Sequence, residues 1–369
     1  MNNNHMFIEL LSEVDFLFED FFLWLAGQYD AESGGFYYAK SSVSDVRFKP
    51  DIESTAQALN ILIRNELLKD MPAVIQNKMI HFFQSKQIQQ TGYFYDENED
   101  MKKDEVMVHR AISYSAGALR KLNSKPLYPL PFQANSAPDY VKSPEAYMEK
   151  WESIDMSNSW RGCDLLANSC FYMLDMPETD REPYITKATQ YLEKIQDPVT
   201  GLWGQGSLYV KISGTFKLHT FYSKLNIQMP NTDKIYKSIL HCLRTEEAVD
   251  MCYIRNPINL LSYMNVQISI DELRDIIEIS VQNMKRLKRK DGAFSRELER
   301  SPSAPNIAQI KHGKYYPNMP PPVHLSQGLL EGDMNASTQA VLIRLQLYQL
   351  CQLKAPRLNE QFPFYSYIS

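Results

Sequence analysis

Four times in this chain a segment with helical periodicity runs into a Gly that is followed, two residues on, by an aromatic ring. The fullest copy, QDPVTGLW at Gln196–Trp203, follows YITKATQYLEKI. QIQQTGYF at Gln87–Phe94 follows PAVIQNKMIHFFQSK, QYDAESGGFYY at Gln28–Tyr38 follows FIELLSEVDFLFEDFFLWLA, and KRKDGAFS at Lys288–Ser295 follows LRDIIEISVQNMKRL. Apolar residues recur three and four apart in each preceding segment, which predicts amphipathic helices ended by a turn. A second segment, rich in small and apolar residues, comes after each turn: DIESTAQALNILIRNEL from Asp51, HRAISYSAGALRKL from His109, VKISGTFKLHTFYSKL from Val210 and GDMNASTQAVLIRLQLYQL from Gly332.

The glycines at 34, 92, 201 and 292 lie about one, two and two periods of roughly 50 residues apart, leaving room for two more units. EAYMEKWES leading to WRGCDLLANSCFYML from Trp160, and NTDKIYKSILHCLRTEE leading to CYIRNPINLLSYM from Cys252, fill the gaps. The units fall at roughly 6–68, 69–123, 140–177, 182–226, 231–266 and 270–353. One helix pair cannot bury both its apolar faces, and neither end of the chain reads as a polar capping repeat. The expectation is an all-α fold: one domain over residues 1–369, a single (α/α)6 toroid. In such a ring the second helix of each pair lines the inside, and all six helix N-termini point at one cavity. Two long Pro-rich loops, 126–144 and 301–323, are expected to form a lid or pocket wall over one end.

Composition excludes several classes. The formal charge of −5 and pI near 5.9 give no general attraction to nucleic acid or anionic lipid. The one basic run, Lys285–Lys290, reads as the solvated end of a helix. Five scattered cysteines, Cys163, Cys170, Cys242, Cys252 and Cys351, suit a reducing cytoplasm. The apolar N-terminus is interrupted by Glu9, Glu13, Asp15, Glu19 and Asp20, so it reads as one amphipathic helix and not as a membrane anchor. P-loop, dinucleotide, nucleophile-elbow and HExxH patterns are missing, which argues against ATP, NAD and metalloprotease chemistry.

With these turns and pairs the chain resembles the superfamily of terpenoid cyclases and protein prenyltransferases. QDPVTGLW is similar to the QW repeat of those enzymes, and QIQQTGYF and QYDAESGGF are weaker copies. DIESTA (Asp51–Ala56) resembles the DxDDTA acid motif of class II terpenoid cyclases, with Glu53 in place of the central Asp and Ser54 in place of the last. VDMCY (Val249–Tyr253) is similar to the segment that gives two zinc ligands in prenyltransferase β-subunits. The family's third ligand is a His on the next inner helix, where this chain has GDMNAST. No cofactor is therefore expected, and Asp250, Cys252 and His324 are the residues that would hold zinc if it bound.

The helix starts themselves carry the candidate chemistry. Asp51, Glu53 and Asp333 are the candidate catalytic acids, since crowded carboxylates in a partly dry cavity raise one another's pKa. His109, Arg110, Arg161, Asp164, Tyr209, Lys211, Tyr253, Arg255, Asn256, Glu331 and Asn335 are the candidate substrate-binding residues. Plain structural roles exist for several of these. Asp51 and Asp333 suit N-caps, Arg161 and Asp164 an i,i+3 pair, His109 and Arg110 a solvated face, and Trp203 a brace between units.

Two enzyme readings follow. The resemblance implies isoprenoid cyclisation, with Glu53 or Asp51 as general acid and rings stabilising the cations. The cations near the helix starts suit equally a glycan-active enzyme: a glycoside hydrolase, or a polysaccharide lyase using His109, Tyr253, Arg255 and Asn256. A toroid that only binds a glycan or protein is the third reading. The expected partner is an isoprenoid or carbohydrate small molecule, with no nucleic acid and no membrane span.

Overall fold

The structure is a computed structural model that describes residues 3–308, 319–358, 361 and 363–368. Those residues form an all-α protein: helices joined by turns, with isolated bridges but no strand ladder among them. None of the described helices is long and apolar enough to cross a membrane. The chain divides into two compact units. One comprises Met1–Ser85, Leu243–Ala308 and Pro322–Ser369, and the other Lys86–Cys242 with, of the described residues, 319–321.

The first unit holds α1 (Asn3–Phe16), α2 (Phe21–Ala26), α3 (Lys40–Val43), α4 (Ile52–Arg64) and α5 (Ala73–Ser85). The second holds α6 (Glu105–Lys121), α7 (Pro144–Glu152), α8 (Ser159–Asp175), α9 (Glu178–Ile195), α10 (Leu208–Lys224) and most of α11 (Thr232–Thr245). The chain then completes the first unit with α12 (Met251–Met264), α13 (Ile270–Leu287), α14 (Met334–Leu350) and α15 (Phe364–Ile368). In the first unit α14 packs between α4 and α12, α13 lies on α1, and α15 lies on α2. In the second, α8 packs along α10 and touches α6 and α9.

The Gly–aromatic turns share one geometry. In the second unit Gln196 bridges Trp203 and Gln87 bridges Phe94. Each turn is closed by the same two backbone bonds. The Asp197 N–H donates to Leu202 O and the Gly201 N–H to Asp197 O, both at 2.9 Å; the Ile88 N–H donates to Tyr93 O and the Gly92 N–H to Ile88 O, both at 2.8 Å. The turn needs Gly: Gly92 has φ +75°, and a Cβ there would sit 2.0 Å from Pro129 O.

The glutamine ties each turn forward. Gln87 Nε2 donates to its own Gly92 O (3.2 Å) and to Tyr128 O (2.9 Å), while Gln196 Nε2 donates to Gly201 O (2.8 Å) and Pro230 O (3.3 Å). Both acceptors beyond the turn lie on the stretch leading to the next helix pair. Trp203 is fully buried and donates from Nε1 to Leu192 O of α9 at 2.8 Å, so it braces the turn against the helix it ends.

The first unit repeats the device with different residues. The bridge to Phe36 comes from Tyr29, not from Gln28, because the Gln lies one residue out of register; its Nε2 instead donates back to Trp24 O at 3.0 Å. The fourth turn bridges Lys288 to Phe294 and is one residue shorter. There the Lys288 ammonium reaches both Gly292 O and Glu19 O at 2.8 Å, doing the work of the Gln. The turn glycines pack forward as well: a Cβ on Gly34 would lie 2.5 Å from the Lys78 backbone, and one on Gly292 would lie 2.5 Å from Asp20 O.

Two helix boundaries differ from expectation. The N-terminal segment is not one helix but α1 and α2, broken at Leu17–Asp20, where Asp20 turns to φ +61° and its carbonyl packs on Gly292. The helix expected from His109 begins at Glu105, because Asp104 accepts from the Val106 N–H at 3.0 Å and caps it. Most of the other second helices start in the same way: Asp51 accepts from Ser54 N, Asn158 from Arg161 N, Asp250 from Cys252 N and Asp333 from Ala336 N. Ser207, before α10, makes no such bond.

The loops are tied down where they are described. In 126–144, Ser136 Oγ donates to Pro131 O and Tyr184 donates to Val141 O. In 301–323, Ser301 bonds Asp333 and the Val323 N–H donates to Asn306. Residues 309–318, the middle of the expected lid, lie outside the described residues.

Candidate functional site

In the first unit the starts of α4, α12 and α14 bring together Asp51, Glu53, Asp250, Tyr253, Arg255, Asn256, Asp333 and Asn335. The acids divide sharply by what holds them. Asp51 Oδ1 accepts the Ser54 N–H at 2.8 Å. Asp333 is fully buried; it accepts from the Ala336 and Arg296 N–H groups at 2.7 Å and from Ser301 Oγ at 3.0 Å. Glu331 accepts from the N–H and hydroxyl of Ser41 and so anchors α3. These three are engaged by main-chain donors.

Glu53 is different, because side-chain amides meet it. Gln57 Nε2 donates to Glu53 Oε1 at 3.0 Å and Asn335 Nδ2 at 3.3 Å. The contact continues: Gln339 Nε2 donates to Asn335 Oδ1 at 2.6 Å, and Arg255 Nε donates to Gln339 Oε1 at 3.4 Å. A polar ladder thus runs from a carboxylate on α4, across two amides of α14, to a guanidinium on α12. Sequence reading placed Glu53, Asn335 and Arg255 in the site and missed Gln57 and Gln339. Both missing rungs stand four residues beyond a chosen one on the same helix, a spacing that signals a shared face.

A buried charge cluster centres on Arg296. Burial pushes the Asp333 carboxyl up to about 6, against the bonds from Ala336, Arg296 and Ser301 and the Arg296 charge. Burial also opposes the charge of Arg296, but Cys252, Asp250, Tyr38 and Asp333 outweigh it and hold the guanidinium above its ordinary range. Asp250 Oδ2 lies 3.4 Å from Arg296 Nε while Oδ1 caps α12. His324 is exposed and bonds Ser303 at 3.0 Å. Asp250 and His324 thus have different partners, and among the described residues no three His, Cys, Asp or Glu side chains are grouped to hold a metal.

In the second unit, Arg161 and Asp164 make their closest ion pairs with other helices. Arg161 reaches Asp104 at 2.7 Å, and Asp164 receives Arg110, together with Lys217 at 3.2 Å. Burial disfavours the Asp164 charge, but Arg110, Lys217 and Arg161 hold its carboxyl below the usual range. Lys211 lies 3.9 Å from Asp197, and Tyr209 is buried.

His109 is not on a solvated face. It is buried, with Nε2 3.2 Å from the Tyr172 hydroxyl, which in turn lies 2.8 Å from the hydroxyl of half-buried Tyr93. Among the described residues its buried Nδ1 meets no hydrogen-bond partner. Burial pushes the imidazole down to about 4, against the nearby charge of Glu105, so it is neutral at pH 7. Glu105 accepts from Tyr140 at 3.1 Å and Lys150 at 3.0 Å. Tyr93 stacks on Tyr95 at 5.9 Å, and Lys102 stands 5.3 Å over the Tyr95 ring. Tyr93, Glu105 and Tyr172 were not anticipated. Tyr93 hides inside a turn motif, and KKDEV reads as a solvated charge run until Asp104 is seen to cap α6.

No family model matches the chain, and no curated protein matches it. Among solved structures, that of a protein from Actinoplanes is similar to it, with a TM-score of 0.50 at 12% identity over 92% of this chain and 99% of that one. A likeness at this identity bears on the fold alone.

Proposed function

We propose that the chain is a carbohydrate-active enzyme on a toroid of six helix pairs, of the architecture seen in terpenoid cyclases and prenyltransferases, and that Glu53 is its acid–base group. The observation that carries this reading is the division among the acids: Asp51, Asp333 and Glu331 hold main-chain N–H groups, while Glu53 ends a ladder of amides leading to Arg255. Amides and a guanidinium suit a substrate of hydroxyls and carboxylates. They are poor company for a hydrocarbon, whose burial against them would leave polar groups unmatched. Ring closure is supported by the forward packing of the turns, since Gly292 and Lys288 fasten onto Asp20 and Glu19, at the other end of the sequence.

Glu53 is met by side-chain amides that lead to a cation, an arrangement closer to the base-and-cation pair of an elimination than to the paired carboxylates of a hydrolase. Elimination from a uronate needs one base and one cation. Arg255 neutralises the sugar carboxylate, Glu53 takes the proton next to it, and the electron pair expels the glycosidic oxygen, which takes a proton from solvent. The test is incubation of the protein with polyuronates, neutral glucans and geranylgeranyl diphosphate, with product masses and 235 nm absorbance as readouts. Unsaturated products from polyuronates that vanish in Glu53→Gln, with thermal stability kept, support the reading. A cyclised hydrocarbon from the diphosphate replaces it with the isoprenoid reading. Glycan retention without turnover replaces it with a binding toroid.

A further inference from the structure

Where α12 and α14 end, away from their N-terminal site residues, the first unit carries a cleft of about 650 Å³ lined by Leu261, Ser262, Asn265–Ile268, Leu273, Gln349, Leu350 and Gln352. Its volume falls within the range of small-molecule sites. The floor is aliphatic, with Leu261 and Leu273 buried, and the amides of Asn265, Gln267, Gln349 and Gln352 stand exposed at its rim. No lining side chain is charged. Asn265 and Gln352 both adopt positive φ, +51° and +56°, and so turn the chain out of each helix. The N–H groups of Val266, Gln267 and Ile268 donate to no described backbone carbonyl. The cleft therefore carries four side-chain amides, each able to donate and accept, beside the main chain of residues 266–268.

We propose that this cleft binds an uncharged, hydroxyl-rich small molecule of the saccharide class, at a site separate from Glu53. Hydroxyls both donate and accept, matching the four amides and the main-chain groups together. The C–H faces of a sugar ring cover the leucine floor. An anionic or cationic ligand would leave its charge without a counter-ion among the lining residues.

The proposal does not depend on the reaction assigned to Glu53. The test is methyl NMR of the full chain, following Val266, Ile268 and Leu350 during titration with maltotriose, galacturonate, spermidine and an acetylated, amidated tetra-alanine. Saturable shifts with maltotriose are expected. They should weaken about tenfold in Gln267→Ala, the loss of one hydrogen bond, and disappear in Ser262→Trp, which fills the cleft. The same titration in Glu53→Gln should be unchanged, so failure here is distinguishable from failure of the lyase reading. Unfolding curves check that both cleft variants are folded; if Ser262→Trp is not, Gln349→Ala replaces it with the same tenfold expectation. Maltotriose shifts that are absent, that survive these changes in folded variants, or that are matched by the charged ligands or the peptide overturn the proposal.

Discussion

Gly292 sits on Asp20: its φ is +98°, and a Cβ at this position would lie 2.5 Å from the Asp20 carbonyl oxygen. Gly292→Ala must therefore both strain the turn and push the α1–α2 break away. Destabilisation of about 2 kcal/mol or more is expected in thermal unfolding. Gly117, on α6 with open space around it, is the control. Gly117→Ala should stabilise by about 0.5–1 kcal/mol through helix propensity.

Gln196 makes the link that Lys288 makes elsewhere. Its amide bonds Gly201 O, Pro230 O and Asn231 Nδ2, so Gln196→Leu should cost about 2–3 kcal/mol by leaving buried polar groups unpaired. Lys288→Gln should be far milder than Lys288→Met, because the amide can make the same kind of bonds. Chemical denaturation of the three variants checks the ranking.

Acidification should weaken the second unit through His109. Its folded-state pKa of about 4 lies below the ordinary 6.5, so its contribution is present above pH 6.5 and is lost as pH falls toward 4. The loss is on the order of 3 kcal/mol. Hydrogen exchange over residues 105–121 between pH 7.5 and 5 reads it. His109→Gln should flatten that dependence.

Asp333 acts with the opposite sign in the first unit. Its folded-state pKa is raised from 3.8 to about 6, so its contribution is full below pH 3.8 and is lost as pH rises through 6. Exchange over residues 334–350 should slow between pH 7 and 5, and Asp333→Asn should remove that change while costing a bond to a main-chain N–H. If both segments respond to acid in the same direction, one of the two assignments is wrong.

How much of this was legible in the sequence follows from the range of each interaction. The turns were readable because Gly and the ring stand at a fixed local spacing, and the helices because their apolar faces repeat. The start of α6 was misplaced, since Asp104 and Glu105 look like solvated charges until Arg161 and Lys150 are brought to them by other helices. The Tyr29 register was hidden by the more familiar Gln28 beside it. Of the site, Glu53, Asn335 and Arg255 could be chosen by position along their helices. The ladder that joins them depends on how α4, α12 and α14 lie together, which no local pattern encodes.

The clasp of Lys288 on Glu19 makes the direction of the chain incidental at that place. In the same unit α15 returns to α2, with the rings of Phe364 and Phe22 6.3 Å apart. A circular permutant that links α15 to α1 and opens new termini between α6 and α7 should keep the Lys288–Glu19 and Phe364–Phe22 contacts and fold to the same thermal stability within about 1 kcal/mol.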